Sequence, residues 1–249
     1  MPSTNKEQAH TDAVCAFPRL QPRLQCLADC AGRCRCLADV GTDHGYLPVW
    51  LLQNGRTERA VASDINAEPL AHARRTAERY GVSDKMDFRL CAGLAGYAPG
   101  EADVLVMAGM GGETIRDILA SAPWVKGSDA RLLLQPMTRS ELLRPWLAEN
   151  GYGIRYERLV MDKGTIYTVI EAAAGAGRPL TAAECWCGVG LEHDPLYGAY
   201  ASDRVRKLER AAGGLRQAKT PDSAQINSLE ADAAALRRKI EEWEHGKGT

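Results

Sequence analysis

Four short segments of this chain place groups able to bind or react just after apolar runs. The first is Asp39-Val40-Gly41-Thr42-Asp43-His44-Gly45. Glycine there lets the backbone approach a ligand closely. The segment lacks the Gly-x-Gly-x-x-Gly spacing of a dinucleotide fingerprint and the Gly-Lys-Ser/Thr of a phosphate-cradling loop. The second is Asp64, followed by Ile65. A carboxylate at a strand end can accept both hydroxyls of a ribose, and it can equally cap the next helix. The third is Ala108-Gly109-Met110-Gly111-Gly112, whose glycines are expected to leave backbone amides exposed beside a helix start. The fourth is Gln135-Pro136. An amide side chain both donates and accepts, as the edge of a base requires, and the proline fixes the chain direction.

These segments need a scaffold that brings strand ends together. Apolar runs at 35–40, 59–63, 86–90, 102–107 and 131–134 read as strands, with helices at 23–31, 46–53, 69–80, 113–119 and 140–150. Strands alternating with helices imply a parallel sheet covered on both faces. Residues 152–161 and 165–171 are two strands with no helix between them, joined by a turn at Asp162-Lys163-Gly164. A closing hairpin of this kind resembles the seven-stranded, Rossmann-like class I S-adenosylmethionine-dependent methyltransferase fold, an α/β fold whose last strand inserts antiparallel.

The segment 172–179 is rich in small residues and reads as a linker. Beyond it, Val205, Leu208, Ala212 and Leu215 recur at steps of three and four. So do Ile226, Leu229, Ala233, Leu236, Ile240 and Trp243. Two heptad seams separated by Lys219-Thr220-Pro221 predict a C-terminal antiparallel two-helix coiled coil. The expected organisation is a leader over 1–18, a catalytic domain over 19–175, and a linker plus coiled coil over 176–249.

The chain of 249 residues carries 31 Lys and Arg against 32 Asp and Glu, so any nucleic-acid site must be a local patch. No apolar run approaches the roughly 18 residues of a membrane span. The polar start, 1–10, has no apolar signal core, which points to a cytoplasmic protein without a membrane partner. Cys26, Cys30, Cys34 and Cys36 crowd together, but no Cys-x-x-Cys pair exists, so no metal is expected and the cysteines read as small apolar fillers.

Together, Asp39 to Pro48, Ser63 to Asn66, Ala108 to Gly112 and Leu134-Gln135-Pro136 resemble the bacterial tRNA (adenine-22-N1)-methyltransferase family. The likeness covers about residues 22–245. It implies S-adenosyl-L-methionine as cofactor and tRNA as partner, in a monomeric enzyme. It implies cofactor contacts at Asp39, Gly41, Asp64, Ile65, Ala92, Gly93, Ala108, Gly109, Met110 and Gly111, and acceptor contacts at Gln135 and Pro136. Two positions depart from the family pattern. Ala92 replaces an aspartate that contacts the adenine amino group of the cofactor, and Met137 replaces an asparagine.

For that reaction Asp43 and His44 are the expected catalytic residues. Adenine N1 has its own lone pair, so a carboxylate would serve by holding the adenine amino group and stabilising developing positive charge. His44 would orient the base or contact a phosphate. The alternative roles are a loop-capping aspartate and a structural imidazole. Residues 196–219 hold six basic residues against two acidic ones, which makes Arg204, Arg206, Lys207 and Arg210 the expected RNA-backbone contacts. Arg19, Arg23, Arg33 and Arg35 form a second candidate surface at the pocket rim. Alternative functions are methyl transfer to another RNA or a small molecule, and a non-catalytic module that binds S-adenosylmethionine or RNA.

Overall fold

A computed structural model describes residues 19–246; the expected leader, 1–18, lies outside the described residues. The central strands form because their side chains are apolar on both faces. Leu37 and Ala38 of β1 (Cys34–Val40) and Val104, Val106 and Met107 of β4 (Val104–Gly111) have no exposed surface. Burying side chains of this size contributes about 1.5–3 kcal/mol each for Val and Leu, which fixes these strands at the sheet centre.

Outward from that centre lie β2 (Thr57–Asp64) and β3 (Met86–Leu90) on one side. On the other side lie β5 (Arg131–Thr138), β7 (Thr165–Ala174) and β6 (Tyr152–Asp162). The seven-stranded order is β3-β2-β1-β4-β5-β7-β6. β7 runs antiparallel to both neighbours, inserted between β5 and β6 as the hairpin pattern predicts. The carboxyl ends of β1, β2, β4 and β5 therefore open on one edge.

Helices α1 (Pro22–Ala31), α2 (Tyr46–Gln53), α3 (Ala67–Arg79), α4 (Gly112–Ala120) and α5 (Ser140–Glu149) connect or flank the strands. α3 begins two residues before Pro69, which sits in its first turn, where a missing N–H is harmless. β4 and β5 run four residues farther than their apolar runs. Pairing continues through Ala108↔Gln135, Met110↔Pro136 and Gly111↔Thr138, with bulges around Met110.

A helix absent from the sequence reading, α6 (Ala182–Cys187), follows the small-residue segment, opened by a capping box between Thr181 and Glu184. α7 (Tyr197–Arg216) and α8 (Ser223–Gly246) then pair along the expected seam. Leu208, Ala212, Ala233 and Leu236 are buried, and Arg216–Glu230 and Arg237–Glu209 ion pairs tie the flanks. The base of this arm shares a core with the hairpin, since Leu159 and Ile166 pack with Tyr197, Tyr200 and Leu208. Beneath it, Arg144 of α5 and Glu157 of β6 form a fully buried ion pair at 2.8 Å. Arg144 also donates to the Cys185 carbonyl at 2.9 Å, and Glu157 accepts from the Val189 amide at 2.9 Å.

Candidate active site

At the carboxyl edge, a cleft of about 390 Å³ lies between the ends of β1, β4 and β5 and the start of α1. Asp39, Gly41, Asp43 and His44 line it from the first loop. Ala108, Gly109 and Gln135 line it from β4 and β5, and Gln21, Arg23 and Leu24 from α1. The volume falls in the usual range for a small-molecule site.

The loop after β1 is pinned by the next strand. The amides of Gly41 and Thr42 both donate to the Ser63 carbonyl, at 2.8 and 2.9 Å. Gly41 has φ +78°, and a Cβ there would sit 2.8 Å from Cε of Met110. Asp39 lies in the floor of the cleft with its carboxyl pushed up to about 6. Burial is the main cause, the Thr42 hydroxyl opposes it, and the charge of Asp64 at the neighbouring strand end adds to it. A buried carboxylate beside a second carboxylate gains most from a cation.

Asp64 uses one oxygen to fold its own turn: Oδ1 accepts from the Asn66 amide at 2.7 Å. Ile65 is exposed beside it. The amide of Cys91 donates to the Asp64 carbonyl at 3.0 Å, which brings Ala92 and Gly93 to the adjacent strand end. Asp64, Ile65, Ala92 and Gly93 thus sit along the same edge, outside the lining of the cleft itself.

The glycine-rich segment departs from expectation. Ala108, Gly109, Met110 and Gly111 belong to β4, so their backbone groups are partly spent on the sheet. The Gly109 amide donates to Oε1 of Gln135 at 3.3 Å. Gln135 is 1% exposed, and its Oε1 also accepts from Arg23 Nη1 at 3.4 Å while its Nε2 donates to the Pro136 carbonyl at 3.3 Å. Pro136 is buried inside β5. The amide expected to read a base edge is therefore occupied in bracing the wall of the cleft.

Arg23 is the organising cation of that wall. Its Nε donates to Asp162 at 2.6 Å, its Nη1 to Met137 Sδ at 3.1 Å, and its guanidinium lies 4.8 Å from the Tyr167 ring centre. In the sequence it was one of several rim arginines, because its hydrogen-bonding partners are 112–139 residues away and Tyr167 is farther still. Two of the others are not at the rim: Arg33 and Arg35 flank the start of β1, at the opposite edge, where Arg35 pairs with Asp103 at 3.1 Å.

Asp43 and His44 stand at the mouth. Nε2 of His44 is 3.4 Å from Oδ2 of Asp43. The His44 ring stacks with Tyr46, centroids 5.1 Å apart, and with His72 of α3, centroids 4.9 Å apart at 3°. His72 had no signal in the sequence beyond its place on α3. Among the described residues, Asp43, His44 and His72 form a group whose ligand atoms lie within 4.8 Å.

Of the expected RNA contacts, Arg204, Arg206 and Lys207 share the single carboxylate of Asp203, at 2.9, 3.7 and 2.9 Å. Arg210 donates to the Arg206 carbonyl. Arg204 and Lys207 line a cleft of about 640 Å³ between α7 and Met137, Thr138 and Arg139 at the end of β5. Four cations around one or two carboxylates leave that face positive.

This combination of sheet order and strand-end carboxylates defines a class. The methyltransferase-domain family model matches residues 20–170, and the chain belongs to that family. Within it, the tRNA (adenine(22)-N(1))-methyltransferase of Bacillus subtilis is 34% identical over 157 residues, which cover 63% of this chain and 66% of that protein. The chain thus spans just under two thirds of the length of that relative, and 60% and 59% of two Mycoplasma relatives. Among solved structures, Sp1610 of Streptococcus pneumoniae is 29% identical with TM-score 0.79, covering 89% of this chain and all of the other. TrmK of M. capricolum, solved with S-adenosyl-homocysteine, is 26% identical with TM-score 0.75, covering 89% and 98%.

Proposed function

We propose that this chain is an S-adenosylmethionine-dependent tRNA methyltransferase acting on N1 of adenine 22. The observation that carries the reading is Asp39, a buried carboxylate in the floor of the cleft whose acting charged neighbour is a second carboxylate, Asp64. That is the chemistry an amino-acid ammonium group needs. Asp64 at the next strand end suits a ribose, and Ala92 and Gly93 lie at the adjacent strand end. The names of the curated and structural relatives point the same way. Bound S-adenosylmethionine would supply an electrophilic methyl group on a sulfonium.

The residues of the chain then have three tasks. Asp39, Gly41, Asp64, Ile65 and the Ala108–Gly111 strand end hold the cofactor. Arg23, Gln135 and Pro136 shape a rigid, partly desolvated wall against which the acceptor base is aligned. Asp43, at the mouth, accepts a hydrogen bond from the adenine amino group and stabilises the charge gained when N1 becomes quaternary. No strong base is required, because N1 is unprotonated at neutral pH. His44, stacked between its aromatic neighbours, orients Asp43 and the incoming base. An adenine held in folded tRNA has to be extruded to reach such a cleft.

The arm cations Arg204, Arg206, Lys207 and Arg210 would contact the RNA backbone. A monomeric, cytoplasmic enzyme completes the proposal. Incubation with unmodified tRNA and a labelled methyl donor tests it, with the product nucleoside identified by mass spectrometry. Ala92 favours a second reading, a binding module without turnover, and the same assay separates the two.

A further inference from the structure

Beside the catalytic cleft, and sharing Gln21, Leu24, His44 and Tyr46 with it, lies a second cavity of about 620 Å³. It is bounded by the chain entering α1, by the start of α2, and by one stripe of α3. That stripe is His72, Arg75, Thr76 and Arg79, at relative positions 0, 3, 4 and 7, so all four project from one helix face. Arg19 faces them from the other side. Among the described residues, the lining holds three arginines and two histidines and not one carboxylate.

This arrangement is costly for the protein alone. Arg75 and Arg79 are like charges four residues apart, a spacing that destabilises a helix by a few tenths of a kcal/mol. Among the described residues, Arg19, Arg75 and Arg79 take part in no ion pair, whereas the arm cations Arg204, Arg206 and Lys207 are bound to Asp203. Cations concentrated in a concave surface and left without anions raise the local concentration of an anionic ligand.

We propose that this cavity is a phosphodiester subsite for RNA: it takes the backbone of the nucleotides next to the adenine being methylated. The inference rests on the tRNA reading above and adds the path of the strand. The stacked Tyr46, His44 and His72 form the partition between the base cleft and the phosphate cavity. The backbone then crosses the carboxyl edge from the Arg75–Arg79 face of α3, over Asp43, toward Arg204 and Lys207 on the far side. Guanidinium groups suit this task because each presents a planar fork of donors to phosphate oxygens.

The test uses the full chain with Arg75→Gln/Arg79→Gln and, beside it, Arg75→Lys/Arg79→Lys. tRNA affinity is measured against salt concentration, separately from methyl transfer. The Gln pair is expected to flatten the slope of log affinity against log salt by about 1 to 2, as two phosphate contacts disappear. It is expected to raise KM for tRNA roughly 10- to 100-fold, with turnover at saturating tRNA reduced far less. Cofactor affinity and melting temperature should stay near wild type, and the Lys pair should recover most of the salt slope. Wild-type methylation of tRNA with an unchanged slope and KM in the Gln pair overturns the subsite. A wild-type protein that binds tRNA but methylates none overturns the functional reading, and the salt slopes then decide the subsite on their own.

Discussion

The carboxylate of Asp43 lies 3.4 Å from Nε2 of His44, whose ring is held by stacking on Tyr46 and His72. The carboxylate itself is 77% exposed at the cleft mouth, so its position is set by the imidazole beside it rather than by burial. Asp43→Ala should lower single-turnover methylation by roughly 10²-fold or more, the range for loss of one positioned electrostatic partner. Cofactor affinity should change little. His44→Phe, which keeps a ring in the stack, should cost less. Turnover near wild type with a lowered melting temperature would mark Asp43 as a loop cap instead.

On the proposed function, Asp39 is expected to make cofactor binding pH-dependent. Its carboxyl in the folded protein titrates at about 6, above the ordinary 3.8, mainly because it is buried. Between those values the unfolded chain is already ionised and the folded chain is not. The stability this group contributes is therefore present below about pH 4 and lost as pH rises through 6. A bound ammonium group reverses the preference, so binding releases a proton below pH 6. Calorimetry should show cofactor affinity falling up to about tenfold per unit as pH drops below 6. Asp39→Asn should bind weakly at every pH, without that slope.

Ala92, where the family resemblance leads one to expect an aspartate, lies at the strand end next to Asp64 and is exposed. Restoring the carboxylate should create one hydrogen bond to the cofactor's adenine amino group. Ala92→Asp is expected to tighten S-adenosylmethionine binding by about 1–2 kcal/mol, near 5- to 30-fold. Unchanged affinity would mean that the adenine does not lie at this strand end.

The buried Arg144–Glu157 pair joins the catalytic sheet to the arm, since the Cys185 carbonyl and the Val189 amide complete its hydrogen bonds. Removing one partner strands a buried charge. Glu157→Ala should cost about 3–5 kcal/mol, read as a lower melting temperature. Truncation after residue 180 removes the same two backbone partners, and with them Tyr197 and Tyr200 of the core shared with the hairpin, and should destabilise the remainder. The small-residue segment at 172–179 suggests a boundary near 180, and these contacts move it beyond Val189.

What the sequence made legible was local. Short continuous apolar runs, the uninterrupted hairpin and the heptad spacing carried the strand alternation, the antiparallel insertion and the α7–α8 seam. Asp39 and Gly41 were legible because a charged residue and a glycine interrupt an apolar run. Less legible was whatever depends on distant pairing. The extension of β4 through Gly109 needs the facing strand, whose Gln135 takes the Gly109 amide. Arg23 acquires its role only from Asp162 and Tyr167. The capping box of α6 was written in the sequence as Thr181 and Glu184 three apart, and was masked by the small residues before it.

Methyl transfer to N1 of adenine 22 can be read on two tRNA transcripts that differ only in adenine or guanine at position 22. After incubation with the wild-type protein and S-adenosylmethionine, nuclease fragments are sequenced by mass spectrometry. The expected result is one methyl group, as 1-methyladenosine at position 22 of the first transcript, and none on the second. A methyl group on both transcripts, on another atom, or on neither would contradict it.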